Sequence, residues 1–145
     1  MLRAVTVDLT GTWKLIGWRR IAEDGTVTHP LGEHPHGLLV YAANGRMMVQ
    51  MTEADRPRLD TSDPVGGDAQ ARAAAYSTCL AYFGTWELRG EEVVHQIEMS
   101  LFPNWSGQEQ VRPFTLEDGE LVLRTPPTPG PSGTVVNEIA WSRES

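Results

Sequence analysis

Four residues of this chain could do chemistry, and all four stand in apolar company: His95, Gln110, Arg112 and Asn137. In the stretch VVHQIEMSL, the residues Val93, His95, Ile97, Met99 and Leu101 fall on one face of an extended segment, because strand side chains alternate with period two. Gln110, Arg112, Phe114 and Leu116 share a face for the same reason, and Asn137 shares one with Val135, Ile139 and Trp141. If these faces point inward, polar groups and a charge are buried. That is costly unless each other, trapped water or a ligand satisfies them.

The chemistry each would supply follows from its type. A histidine titrates near ~6.5 and is the natural general acid or base; desolvation would hold it neutral, as a base. Arginine presents paired donors in a planar fork, an anchor for a carboxylate, enolate or carbonyl oxygen. The plainer alternatives are a core histidine bonded to a neighbour and an arginine snorkelling to a rim. Gln110 and Asn137 add donors and acceptors. Tyr41, Tyr82, Trp86 and Trp105 are candidates to line a cavity alongside Phe114, with simple core packing as the alternative for each; tyrosine and tryptophan bring a polar handle that needs a partner. Met47, Val49, Met51 and Met99 offer an adaptable apolar wall. Trp13, Trp18 and Trp141 read as structural.

Other chemistries find little support. The loop HPLGEHPH (residues 29–36) gathers three histidines and a glutamate, but its spacing matches no zinc signature, so no metal is expected. No nucleophile elbow and no glycine-rich phosphate loop is present, and no cofactor is implied. Glu98 alternates away from His95, and Cys79 reads as a small hydrophobe. The net charge of −7 argues against nucleic acid and anionic membranes as partners. With one cysteine there is no intrachain disulfide, and neither a signal peptide nor a membrane span is evident. A cytoplasmic protein is the expectation.

The elements that must position these residues are strands. Residues 1–8 read as a loose or edge segment. Residues 9–20 alternate as a long strand, with a bulge at Gly17. Strands follow at 37–42 and 46–52, joined by Asn44-Gly45, a strong hairpin signal. An alanine-rich helix is expected over 68–79, capped by Asp68. Further strands lie at 80–89, 91–101, 110–116, 120–125 and 134–142, and residues 126–133 form a stiff exposed loop. The whole chain, 1–145, reads as one domain, since 145 residues with 40% hydrophobic content can bury a single core. The fold class is all-β: an eight-stranded antiparallel up-and-down barrel with one short helix between its third and fourth strands. Eight strands enclose room for one small ligand.

Gly11-Thr12-Trp13 resembles the Gly-x-Trp signature of the lipocalin superfamily. More closely, GTWKLIGWR, PLGEHPHGLLVY, NGRMMVQM, YFGTWEL, VVHQIEMSLFPNWSGQEQVRPF, LVLRT and IAWSR resemble the bacterial lipocalin-like domain family, from residue 9 to residue 143. The resemblance implies a small barrel with an interior cavity. Barrels of this kind include ligand carriers and cofactor-free cyclases or isomerases of natural-product pathways.

Three readings compete. The first is a cofactor-free cyclase, isomerase or dehydratase acting on a hydrophobic intermediate of secondary metabolism. In it His95 moves a proton, Arg112 and Gln110 stabilise charge on oxygen, and aromatics shape the substrate. The second is a carrier of a similar small hydrophobic ligand without chemistry. The third is a structural domain whose interior satisfies itself. Interior histidine plus arginine exceeds what a greasy carrier needs, which tilts the reading to the first. A homodimer through an edge or rim stays open.

Overall fold

The computed structural model describes residues 7–131 and 133–144. The expected loose segment at 1–8 therefore lies outside the described residues, save for Val7 and Asp8, which have no regular structure. Ten strands and one α-helix follow: β1 (Gly11–Ala22), β2 (Val27–Thr28), β3 (His36–Tyr41), β4 (Arg46–Thr52), α1 (Ala69–Tyr76), β5 (Cys79–Arg89), β6 (Glu92–Ser100), β7 (Glu109–Glu117), β8 (Glu120–Arg124), β9 (Thr128–Gly130) and β10 (Gly133–Arg143). Eight of these, all but the short β2 and β9, make a closed antiparallel barrel in sequential order, with β1 paired to both β3 and β10. This is the expected fold. The helix stands between the third and fourth barrel strands, and Asp68 caps it by accepting from the Ala71 N–H at 3.1 Å. The expected loop at 126–133 instead contains β9, a short strand paired to β10.

Hairpin chemistry sets the order of the strands. At the β3–β4 turn Gly45 has φ +89°, a conformation glycine adopts without steric cost. Two irregularities then decide which residues face inward. The register of β1 against β10 shifts between Leu15 and Gly17, the bulge expected at that glycine. Trp13 and Leu15 point in before it, and Trp18 and Arg20 line the interior after it. A second shift occurs where β5 meets β6: Phe83 pairs with Met99, but Gly84 pairs with Ile97. A Cβ on Gly84 would lie 1.8 Å from the Gln96 carbonyl oxygen, so only glycine allows this close crossing.

The barrel has two unlike ends. At one end Trp13, Tyr41, Met47, Val93 and Leu121 are buried and fill the interior, with Trp86, Leu88, Phe114 and Leu116 packed against them. Trp13 donates from Nε1 to the Leu9 carbonyl at 2.9 Å, and the Arg143 guanidinium stacks 4.3 Å from its ring. Arg143 in turn donates to the Asp8 and Thr10 carbonyls at 2.7 Å, tying the entering chain to the end of β10. At the other end the ends of β1, β4 and β8, the starts of β5, β7 and β10, helix α1 and the loop after β8 surround open space.

Candidate functional site

That space is a cavity of about 930 Å³. Val49, Met51, Leu80, Leu123 and Ile139 form its apolar wall. His95, Tyr82, Gln110, Arg112, Asn137 and Arg20 bring polar groups to it, and Trp18, Trp105 and Trp141 complete it. A few convergent polar groups in a mostly apolar concavity of this size is the usual form of a small-molecule site. A second concavity, on the outer face around Ile16, Leu38, Met48, Phe83 and Met99, also carries Lys14, His34, His36, Gln50 and Glu144 along its lining.

His95 sits at the boundary between the filled and hollow halves and is 1% exposed. Both ring nitrogens are engaged. Nε2 is 2.6 Å from the Tyr41 hydroxyl, and Nδ1 is 2.7 Å from the Tyr82 hydroxyl. Desolvation, helped by the nearby Arg112 charge, pushes its pKa down to about 3. His95 is therefore neutral at any ordinary pH. Burial pushes Tyr82 up to about 12 and Tyr41 well above the usual phenol range, so both phenols keep their protons.

Arg112 is 7% exposed. Its guanidinium donates from Nη1 to the Val111 carbonyl at 3.1 Å and lies 6.0 Å from the Trp105 ring centre. Burial lowers its pKa, with Tyr82 and Tyr41 pulling the other way. His95 and Arg112 line the cavity from neighbouring strands rather than facing each other across it: His95 pairs with Gln110, and Val93 with Arg112. Asn137 is committed elsewhere. Its Oδ1 accepts from Trp18 Nε1 at 2.7 Å and Arg20 Nε at 3.2 Å, and its Nδ2 donates to Thr125 at 3.4 Å.

Of the residues singled out from sequence, His95, Arg112, Tyr82, Trp105, Gln110 and Asn137 come together around one cavity. Tyr41 touches His95 but lies under the cavity floor, wholly buried. Trp86 and Phe114 do not line the cavity; they belong to the filled end, where Trp86 stacks 4.6 Å from Tyr41 and donates to the Ala42 carbonyl at 2.9 Å. Met99 is 59% exposed on the outer face, because the β5–β6 shift breaks the alternation after Ile97. Val49 and Met51 line the cavity, while Met47 packs into the filled end. Trp18 and Trp141, read from sequence as structural, both line the cavity, as does Arg20. The Gly17 bulge is the signal that would have found Trp18 and Arg20. The loop histidines gather no metal site: among the described residues no three histidine, cysteine or acidic side chains are placed to hold a cation.

A closed antiparallel barrel, filled at one end and hollow at the other, defines the class of small barrels built around an interior chamber. Residues 10–144 match the lipocalin-like domain family, and the chain belongs to it. No match was found among proteins of curated function. Two solved structures are similar. One is an uncharacterized protein from Bacteroides eggerthii, 12% identical, covering 94% of this chain and 99% of its own, with a TM-score of 0.45. The other is a mutant of the fluorescent protein UnaG, 18% identical, covering 94% of this chain and 96% of its own, with a TM-score of 0.40. No helix among the described residues is long and apolar enough to cross a membrane.

Proposed function

We propose that the protein binds one small, mostly apolar molecule inside the barrel, with the polar end of that molecule against Tyr82, Arg112 and Gln110. The carrying observation is the cavity itself, hollow and apolar-walled in a barrel whose other end is packed. Lipocalin-like membership supports the same reading. The test is titration with the neutral fluorophore N-phenyl-1-naphthylamine. One-to-one saturable binding is expected, with quenching of the tryptophans that line the cavity. Leu80→Trp, which narrows the mouth without touching the polar groups, should weaken it. Absence of saturable binding to the wild type would overturn the proposal.

A second reading, a cofactor-free cyclase, isomerase or dehydratase acting on a hydrophobic natural-product intermediate, draws support from one observation. A chain of three proton-bearing side chains, Tyr41, His95 and Tyr82, ends at the cavity. In this reading Tyr82, not His95, is the group that meets the substrate, because both imidazole nitrogens are already bonded to phenols. Arg112 would stabilise negative charge developing on oxygen. Binding stands first, since a histidine with its pKa near 3 is a weak proton acceptor. Turnover of a candidate substrate that falls at least about a hundredfold in Tyr82→Phe and Arg112→Ala would reverse that order.

A further inference from the structure

Resting on the binding reading, we propose that the polar end of the ligand is a carboxylate, held between the Arg112 guanidinium and the Tyr82 hydroxyl. Two independent features of the cavity point there.

The first is an imbalance of charge. The chain is acidic, with 19 aspartates and glutamates against 12 lysines and arginines. Its ion pairs join Arg19 and Arg124 to Glu138, Arg46 to Glu98, and Arg89 to Glu87 and Glu109, all among at least partly exposed side chains. Among the described residues no carboxylate pairs with Arg112, although it is far more deeply buried than any of these arginines. The one carboxylate on the cavity lining, Glu109, is taken up by Arg89 and by Gln96. The second guanidinium on the lining, Arg20, donates to the amide oxygen of Asn137 and, among the described residues, pairs with no acid. His95 is neutral. The interior thus carries uncompensated positive charge within a protein of net charge −7. A buried cation without a counter-ion is costly, and a bound anion would remove that cost.

The second feature is the direction of the proton chain. Tyr41 is wholly buried, and His95 is its one hydrogen-bond partner among the described residues. Its hydroxyl proton has no other acceptor, so Tyr41 donates to His95 Nε2. A neutral imidazole then carries its proton on Nδ1 and donates to the Tyr82 oxygen. The Tyr82 proton is therefore left over. His95 and Tyr82 both line the cavity, but both imidazole nitrogens are bonded to phenols, so the Tyr82 proton is the one left to face the ligand. The chain thus fixes Tyr82 as a donor, and a donor beside an unpaired guanidinium selects an oxygen anion over a hydroxyl or an amine.

The test is displacement of N-phenyl-1-naphthylamine at pH 7.5 by three compounds with one tail: decanoate, decan-1-ol and methyl decanoate. Decanoate should displace the dye at a concentration at least about tenfold below the two neutral compounds. Arg112→Met should abolish that preference, weakening displacement by decanoate at least about tenfold more than displacement by decanol, and Tyr82→Phe should reduce the preference several-fold. Equal displacement by acid and alcohol would overturn the proposal. So would failure of all three compounds, or an unchanged preference in Arg112→Met. Each of these results leaves barrel binding standing. Loss of dye binding by the wild type would overturn both readings.

Discussion

The two ends of this barrel are made from the same eight strands, yet one is a core and the other a chamber. At the filled end, interior positions hold large side chains whose polar atoms are bonded locally, Trp13 to Leu9 and Trp86 to Ala42. At the open end, two arginines, a glutamine and an asparagine stand among aliphatic residues and three tryptophans, Trp18, Trp105 and Trp141, around empty space. His95 links the two ends, bonded on one side to Tyr41 of the floor and on the other to Tyr82 of the chamber. The difference teaches that stability and recognition are separated along the barrel axis. The filled end makes the fold, and the open end can hold unpaired charge because the fold does not depend on it.

The largest effect should come from the filled end. Trp13→Ala removes a fully buried ring together with its hydrogen bond and the Arg143 stack, and should cost about 3–5 kcal/mol in chemical denaturation. A loss below about 1 kcal/mol would break the comparison.

Next is the boundary. His95 has a folded pKa near 3 against 6.5 when unfolded. The unfolded chain therefore binds a proton that the folded chain does not, and stability is lost as the pH falls below about 6.5. The slope is about 1.4 kcal/mol per pH unit and reaches roughly 2–3 kcal/mol by pH 4.5. The carboxylates with shifted pKa values start from 3.8 or 4.5 and move lower, so their own contribution is lost only below this window. His95→Gln should flatten the dependence between pH 6.5 and 4.5; an unchanged slope would detach His95 from it.

The smallest effect should come from the open end. Without ligand, Arg112→Met replaces a buried, unpaired cation with an apolar side chain. Stability should be unchanged or raised by up to about 2 kcal/mol. A loss of more than about 1 kcal/mol would show that Arg112 helps to hold the fold, and would blur the division between the ends.

Alternation along each strand made the inward faces legible, and with them the barrel and most of the polar cluster. His95, Arg112, Gln110 and Asn137 were visible because a polar residue in apolar company stands out in one dimension. Depth along the axis was not visible. Trp86 and Tyr82 occupy the same face of one strand, and only the register of β5 against β4 and β6 puts Trp86 at the floor and Tyr82 in the chamber. Nor was the partner of each tyrosine legible, because Tyr41 and His95 are 54 residues apart. Met99 was misplaced because one shift of register inverts everything beyond it. Gly84, in mid-strand, was the available warning.

The bulge at Gly17 has a consequence for how such a strand could be shortened. Before it, β1 contributes Trp13 and Leu15 to the floor; beyond it, the strand presents Trp18 and Arg20 to the cavity. Leu15 and Trp18 both face in, with two residues between them where plain alternation has one. Deleting Ile16, the residue without a partner on β10, would restore plain alternation and leave Trp18 and Arg20 facing the cavity. Length changes within a strand are normally ruinous, because they invert every side chain beyond them. Here a single codon could be lost while the lining of the chamber and the base beneath it both kept their places.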